Sequence, residues 1–169
     1  HILEPDKEGQ LSFTGLIFSP DGKRLYLSNV NGSVKVFAVG TDHTVTALSS
    51  IALPPANAVG RQPEIPSGLA LSPDGAQLAF TTLPGPVSVR RFDGLETRPL
   101  EASASPGFRS APLFSPDGAM ISFIQGNAIL SSARPFYKAA LSGGAAVKLA
   151  EYDAFHKGNW GTDGWIYWT

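Results

Sequence analysis

Ser19-Pro20-Asp21-Gly22 returns as Ser72-Pro73-Asp74-Gly75 and as Ser115-Pro116-Asp117-Gly118, and in weakened form as Gly161-Thr162-Asp163-Gly164. Proline presets φ for the second position of a type I turn, aspartate tolerates the third and bonds nearby backbone, and glycine takes the positive φ that follows. The first three copies follow short apolar runs: Leu16-Ile17-Phe18, Leu69-Ala70-Leu71 and Pro112-Leu113-Phe114. They lead into a second, alternating run: Leu25-Tyr26-Leu27, Leu78-Ala79-Phe80 and Met120-Ile121-Ser122-Phe123. A tight turn between two strand-length apolar runs predicts a hairpin.

The copies stand roughly 43 to 53 residues apart, the repeat length of propeller blades. The expected fold is therefore all-β, a β-propeller of four-stranded antiparallel blades with about three and a half blades in the chain. The units are expected over residues 10–53, 64–102, 109–150 and 156–169, with 1–4 as a separate edge strand. Together they form a single partial propeller domain over 1–169. Asn31-Gly32, Pro84-Gly85, Asp93-Gly94 and Ser142-Gly143-Gly144 supply further turns, and Thr41-Asp42-His43 an outer reversal. Residues 54–63 and 103–108 read as linkers, and 127–135 as an insertion longer than a hairpin needs.

The fourth unit stops after its second strand, expected from Trp165 to Thr169 and apolar on both faces. Such a strand requires neighbours on both faces and edges. Since propellers close with 4–8 blades, either the chain is cut from a longer parent or copies assemble. The expected solution is a homodimer, in which the last strand of one chain pairs with the N-terminal strand of another to give about eight blades.

Composition agrees with many short strands: 169 residues carry Gly 18 and Pro 14. A formal net charge of -1 with 16% charged residues gives no electrostatic footprint for nucleic acid or a membrane surface. No apolar run approaches the roughly 20 residues of a membrane span. With Cys 0, disulfides, thiolate metal sites and cysteine nucleophiles are excluded. The chain opens on His1 without a signal-peptide pattern and reads as a processed or excised piece.

The motifs also carry a resemblance. Residues 15–29 (GLIFSPDGKRLYLSN) and 64–80 (EIPSGLALSPDGAQLAF) resemble the YVTN-type repeats of lactonase-like β-propellers. Residues 111–123 (APLFSPDGAMISF), 140–151 (ALSGGAAVKLAE) and 158–169 (GNWGTDGWIYWT) are similar to the WD40-like (PD40) repeats of TolB-like propellers. The first resemblance implies an esterase, lactonase or phosphotriesterase type of activity. The second implies a non-catalytic interaction module, and a periplasmic or extracytoplasmic address. Lactonase-like relatives often carry Pro-Asn-Gly where this chain has Pro66-Ser67-Gly68, the Asn being a metal ligand, so Ser67 departs from that pattern.

In a propeller the first strand of each blade lines the channel, and the starts of these strands meet at one mouth. The residues there are Ser12 and Thr14, Glu64 and Ser67, Arg109 and Ser110, then His156, Lys157 and Asn159. This set is polar and mixed in charge, as a small-molecule site requires. Glu64, Arg109 and His156 are the candidate catalytic residues, and Ser67, Ser110, Lys157 and Asn159 the candidate substrate-binding ones. Glu64 and His156 are also the candidate ligands of a divalent metal, calcium or zinc, which would act as a Lewis acid. The bland reading of both is a solvated loop residue. The turn aspartates sit at the opposite mouth and are explained by the turn. No HExxH, G-x-S-x-G or phosphate-cradling glycine loop is present.

Overall fold

The computed structural model describes residues 11–29, 32–53, 65–83, 85–94, 96–104, 108–126, 134–152 and 158–168. They form three four-stranded antiparallel sheets and a two-stranded one, all made from consecutive strands. Blade 1 holds β1 (Leu11–Phe18), β2 (Arg24–Asn29), β3 (Ser33–Val39) and β4 (Val45–Ala52). Blade 2 holds β5 (Ile65–Leu71), β6 (Gln77–Leu83), β7 (Val87–Arg91) and β8 (Thr97–Pro99). Blade 3 holds β9 (Phe108–Phe114), β10 (Met120–Gly126), β11 (Arg134–Ala140) and β12 (Val147–Tyr152). A half-blade of β13 (Gly158–Trp160) and β14 (Ile166–Trp168) follows. The innermost strands lie side by side, β1 against β5, β5 against β9 and β9 against β13. This is the all-β propeller architecture expected from the repeat.

The repeated turn has one geometry in all three full blades. In blade 1 the Gly22 N–H donates to the Ser19 carbonyl (2.9 Å), and Gly22 takes φ 70°. The Ser19 hydroxyl donates to Asp21 Oδ1 (2.5 Å) and accepts from the Arg24 N–H (2.9 Å). Asp21 Oδ1 also accepts from the Lys23 N–H (3.0 Å). Ser72–Asp74 and Ser115–Asp117 repeat every one of these bonds. The turns also nest. A Cβ built on Gly75 would sit 3.4 Å from Pro20 Cδ, and one on Gly118 3.6 Å from Pro73 Cδ. Each proline thus rests on the glycine of the next blade's turn.

Between blades, alternate residues of each sheet interlock. Tyr26, Val34, Val36 and Leu53 of blade 1 pack with Leu78 and Phe80 of blade 2, joined by Leu69, Leu71 and Phe92. Tyr26 and Phe92 stack at 5.4 Å across the seam. Ala70, Ala79, Val87, Val89 and Leu100 of blade 2 meet Phe114, Ile121, Phe123 and Ala139 of blade 3. Burying each large side chain is worth about 1.5–3 kcal/mol, so these two seams supply most of the cohesion between blades. Arg90 bridges the first seam through a bond from Nη1 to the Ala52 carbonyl (3.3 Å), while Arg91 pairs with Asp93 in solvent.

Some boundaries differ from the expected ones. β8 ends at Pro99, short of the expected end of its unit at residue 102, and a 3-10 turn follows over Glu101–Ser103. The buried Ser103 hydroxyl replaces a ladder bond by accepting from the Val87 N–H (2.9 Å) and donating to the Leu100 carbonyl (2.7 Å). β14 begins at Ile166, because Trp165 belongs to the turn, where its N–H donates to Asp163 Oδ1 (3.1 Å). The outer reversal at Gly40–Thr44 is a fifth copy of the turn. His43 N–H donates to the Gly40 carbonyl (3.0 Å), Thr44 N–H to Asp42 Oδ1 (3.2 Å), and exposed His43 takes the positive φ (63°) that glycine takes elsewhere.

The buried turn serines give a graded prediction. Ser72→Ala strips the Gln77 N–H of its acceptor at a site only 1% exposed, so urea denaturation is expected to show a loss of about 1–3 kcal/mol. Ser19→Ala, in the more exposed copy, is expected to cost less. The bond from Ser72 and then that from the Ala76 N–H hold Asp74 below the ordinary 3.8. A depressed folded pKa gives stability that is present above about pH 4 and lost as pH falls through the folded value. The cost of Ser72→Ala should therefore shrink on acidification; a cost constant from pH 7 to pH 2 would contradict this account of the turn.

Candidate functional site at the channel mouth

The starts of the inner strands are not loops. Ser12 and Thr14 lie within β1, Ser67 within β5, Arg109 and Ser110 within β9, and Asn159 within β13. Polar residues and a proline interrupt the apolar alternation there. Each of the three full blades is irregular at this point. Along β1 the register runs from Leu11 opposite Asn29 to Leu16 opposite Leu27. In β5, Pro66 pairs Thr82 and Gly68 pairs Thr81, leaving Ser67 as the extra residue of a bulge. In β9, Ser110 pairs Ile124 and Leu113 pairs Ser122, a bulge again, with Arg109 opposite Gln125 just beyond it. A bulge bends its strand and re-aims a side chain, and bulges gather at the rims of barrels and beside active sites.

All blades run the same way round, so the packing of β5 on β9 and of β9 on β13 brings Ser67, Arg109, Ser110 and Asn159 to one end of the channel. Asn159 is exposed and pairs Tyr167 in the half-blade ladder. The expected partners Glu64, His156 and Lys157 lie outside the described residues. Among the described residues no group of three or more His, Asp or Glu side chains could hold a metal ion. The backbone register thus sets Ser67, Arg109, Ser110 and Asn159 at the starts of neighbouring inner strands.

Sequence reasoning missed a layer beneath these positions. Ser28 and Asn29 end β2, Thr81 lies two residues before the end of β6, and all three are fully buried. Gly15 lets the layer form, since a Cβ there would lie 2.7 Å from Ser28 Oγ and 2.9 Å from Leu69 Cγ. The available signal was the switch from apolar to polar residues at Leu27-Ser28-Asn29 and Phe80-Thr81-Thr82.

At the opposite mouth the turn aspartates 21, 74 and 117 are held below the usual carboxylate value by their serine hydroxyls and by backbone N–H groups. In the fourth copy Gly161 lacks that hydroxyl, and the Tyr167 phenol donates to Asp163 Oδ2 (2.5 Å) instead. That bond lowers the Asp163 pKa and raises that of Tyr167. These carboxylates are consumed by their turns.

No known protein family matches the chain, and no curated protein does either. Several solved structures are similar to it. A proposed 6-phosphogluconolactonase from Bacteroides uniformis shares 19% identity at a TM-score of 0.61, over 94% of this chain and 47% of its own. TolB from Acinetobacter baumannii shares 15% at 0.60, over 95% and 37%. A chain of a nidogen/laminin complex shares 16% at 0.57, over 85% and 49%. The chain thus spans about half, or less, of the length of the structures it matches. At these identities the likeness establishes the fold, a β-propeller, and nothing of the activity.

Proposed function

We propose that this chain forms part of a propeller ring whose channel mouth binds and hydrolyses a small ester, lactone or phosphoester. The observation that supports this reading is the bulged start of β5 and β9, where Ser67, Arg109 and Ser110 lie, beside the start of β13 with Asn159. In this reading Ser67, Ser110, Lys157 and Asn159 hold the substrate oxygens. Arg109 neutralises the oxyanion that develops as water adds to the carbonyl or phosphoryl centre. His156 accepts the proton of that water and returns it to the departing alkoxide, with Glu64 orienting the imidazole. In place of that base role, Glu64 and His156 would hold a divalent metal, calcium or zinc, which would supply Lewis acidity at the same point. The similarity to a proposed 6-phosphogluconolactonase agrees with this chemistry.

A second reading is a non-catalytic interaction module, with contacts made by loops such as 127–135. The similarities to TolB and to a chain found in a protein complex favour it. In either case a homodimer is the proposed working form.

Backbone amide spectra of labelled protein, titrated with inorganic phosphate and with δ-valerolactone, separate the two readings. The hydrolase reading expects shifts at Ser67, Ser110 and Asn159. Shifts confined to the Ser-Pro-Asp-Gly turns, or none with either probe, would remove the mouth as a small-molecule site.

A further inference from the structure

We infer that a second copy of this chain covers the open face of blade 1, seating its own half-blade there, so that two copies close one ring. The inference deepens the proposed function, because the mouth site is a ring site and half its residues would come from the second copy. Within the chain, each seam is built from equivalent positions. The residue just before the turn is Phe18, Leu71 or Phe114. Phe114 is 7% exposed beneath blade 2, and Leu71 packs against blade 1. Phe18 is 53% exposed. Two residues earlier, Leu69 packs on blade 1 and Pro112 is buried, whereas Leu16 is 49% exposed. Leu25 and Leu27 on β2 are buried, so the open part is the strip along β1.

The turn repeats the asymmetry. Gly75 and Gly118 each carry the preceding blade's proline, but a Cβ on Gly22 would meet nothing within 4 Å. Along β1, blade 1 therefore leaves exposed, among the described residues, part of the surface on which blades 2 and 3 receive their predecessors. At the other end the half-blade leaves Trp165 and Tyr167 70% and 54% exposed. In the hairpin register Tyr167 stands where Tyr26 stands, opposite the residue two before the turn, the position that in blade 1 meets the next blade. The geometry that seats blade 1 on blade 2 would seat this half-blade on a second copy's β1. Among the described residues, two copies bring six four-stranded sheets and two half-blades, within the 4–8 blades that close a propeller. The contact joins the end of one copy to the start of the next, and it closes a twofold ring when each copy spans half a turn.

Light scattering or native mass spectrometry of the 169-residue chain at about 10 µM tests this directly. The expected mass is twice the 17.8 kDa of one chain, for wild type and for the control Arg98→Asp on the outermost strand of blade 2. Phe18→Asp is expected to give a monomer with unchanged β-sheet circular dichroism, and Leu16→Lys does the same should Phe18→Asp fail to fold. A wild-type monomer, an open-ended polymer, or a dimer indifferent to both substitutions would overturn the inference. Mass is independent of turnover, so a dimer without hydrolysis sinks only the enzymatic reading, and a hydrolysing monomer sinks only this one.

Discussion

Phe123→Ala is expected to destabilise the protein by about 3–5 kcal/mol, a large part of the margin of a domain this size. Phe123 is fully buried on β10, stacked on Tyr137 at 5.8 Å, and packed into the seam between blades 2 and 3. Truncation removes the transfer energy of the ring and leaves a cavity between two sheets. These sheets cannot collapse onto it, because their inner strands are fixed by hydrogen bonding and by the nested turns. The effect should appear in urea denaturation as a lower midpoint with the slope little changed. Leu149→Ala, at an exposed outer-strand position, should change stability by less than about 0.5 kcal/mol. Equal losses at the two positions would contradict the assigned seam.

The second large effect concerns turnover. Arg109→Ala is expected to lower hydrolysis of a responsive ester, lactone or phosphoester by about 10²–10³-fold, the usual cost of losing one donor to a developing oxyanion. Folding should be spared, because Arg109 lies at the start of β9, beyond the bulge and opposite Gln125. Arg109→Lys keeps the charge without the planar fork and should recover only part of the rate. Loss of rate with an unchanged unfolding curve distinguishes a role in the chemistry from a role in the fold.

The fold was legible because its punctuation is local. Proline, aspartate and glycine specify the turn by their own backbone preferences, and its spacing then sets the blades. Gly40-Thr41-Asp42-His43 was seen only as a reversal, since a histidine at positive φ gives no turn signature although Asp42 and Thr44 form the same bonds. The bulged strand starts were hidden for a different reason. Register depends on what the neighbouring strand offers, and nothing near Ser67 or Ser110 announces that β6 and β10 will be one residue short of them. Exposure was also illegible: Phe18 and Phe114 look alike before their turns, and only the packing of Phe114 against blade 2 separates them.

The site was legible in outline only. Propeller geometry nominated the starts of the inner strands, and the structure brings Ser67, Arg109, Ser110 and Asn159 to one mouth. It added the buried Ser28, Asn29 and Thr81 beneath them, which position alone did not nominate. Glu64, His156 and Lys157 fall outside the described residues, so their roles rest on the sequence and the resemblance.

The most direct test of the mouth as a hydrolytic site is turnover by purified protein across a panel of small esters, lactones and phosphotriesters, with bound metal quantified on the same sample. The account predicts hydrolysis of at least one class, with rate lost in both Arg109→Ala and His156→Ala. Absence of turnover in every class, or turnover indifferent to both substitutions, would contradict it.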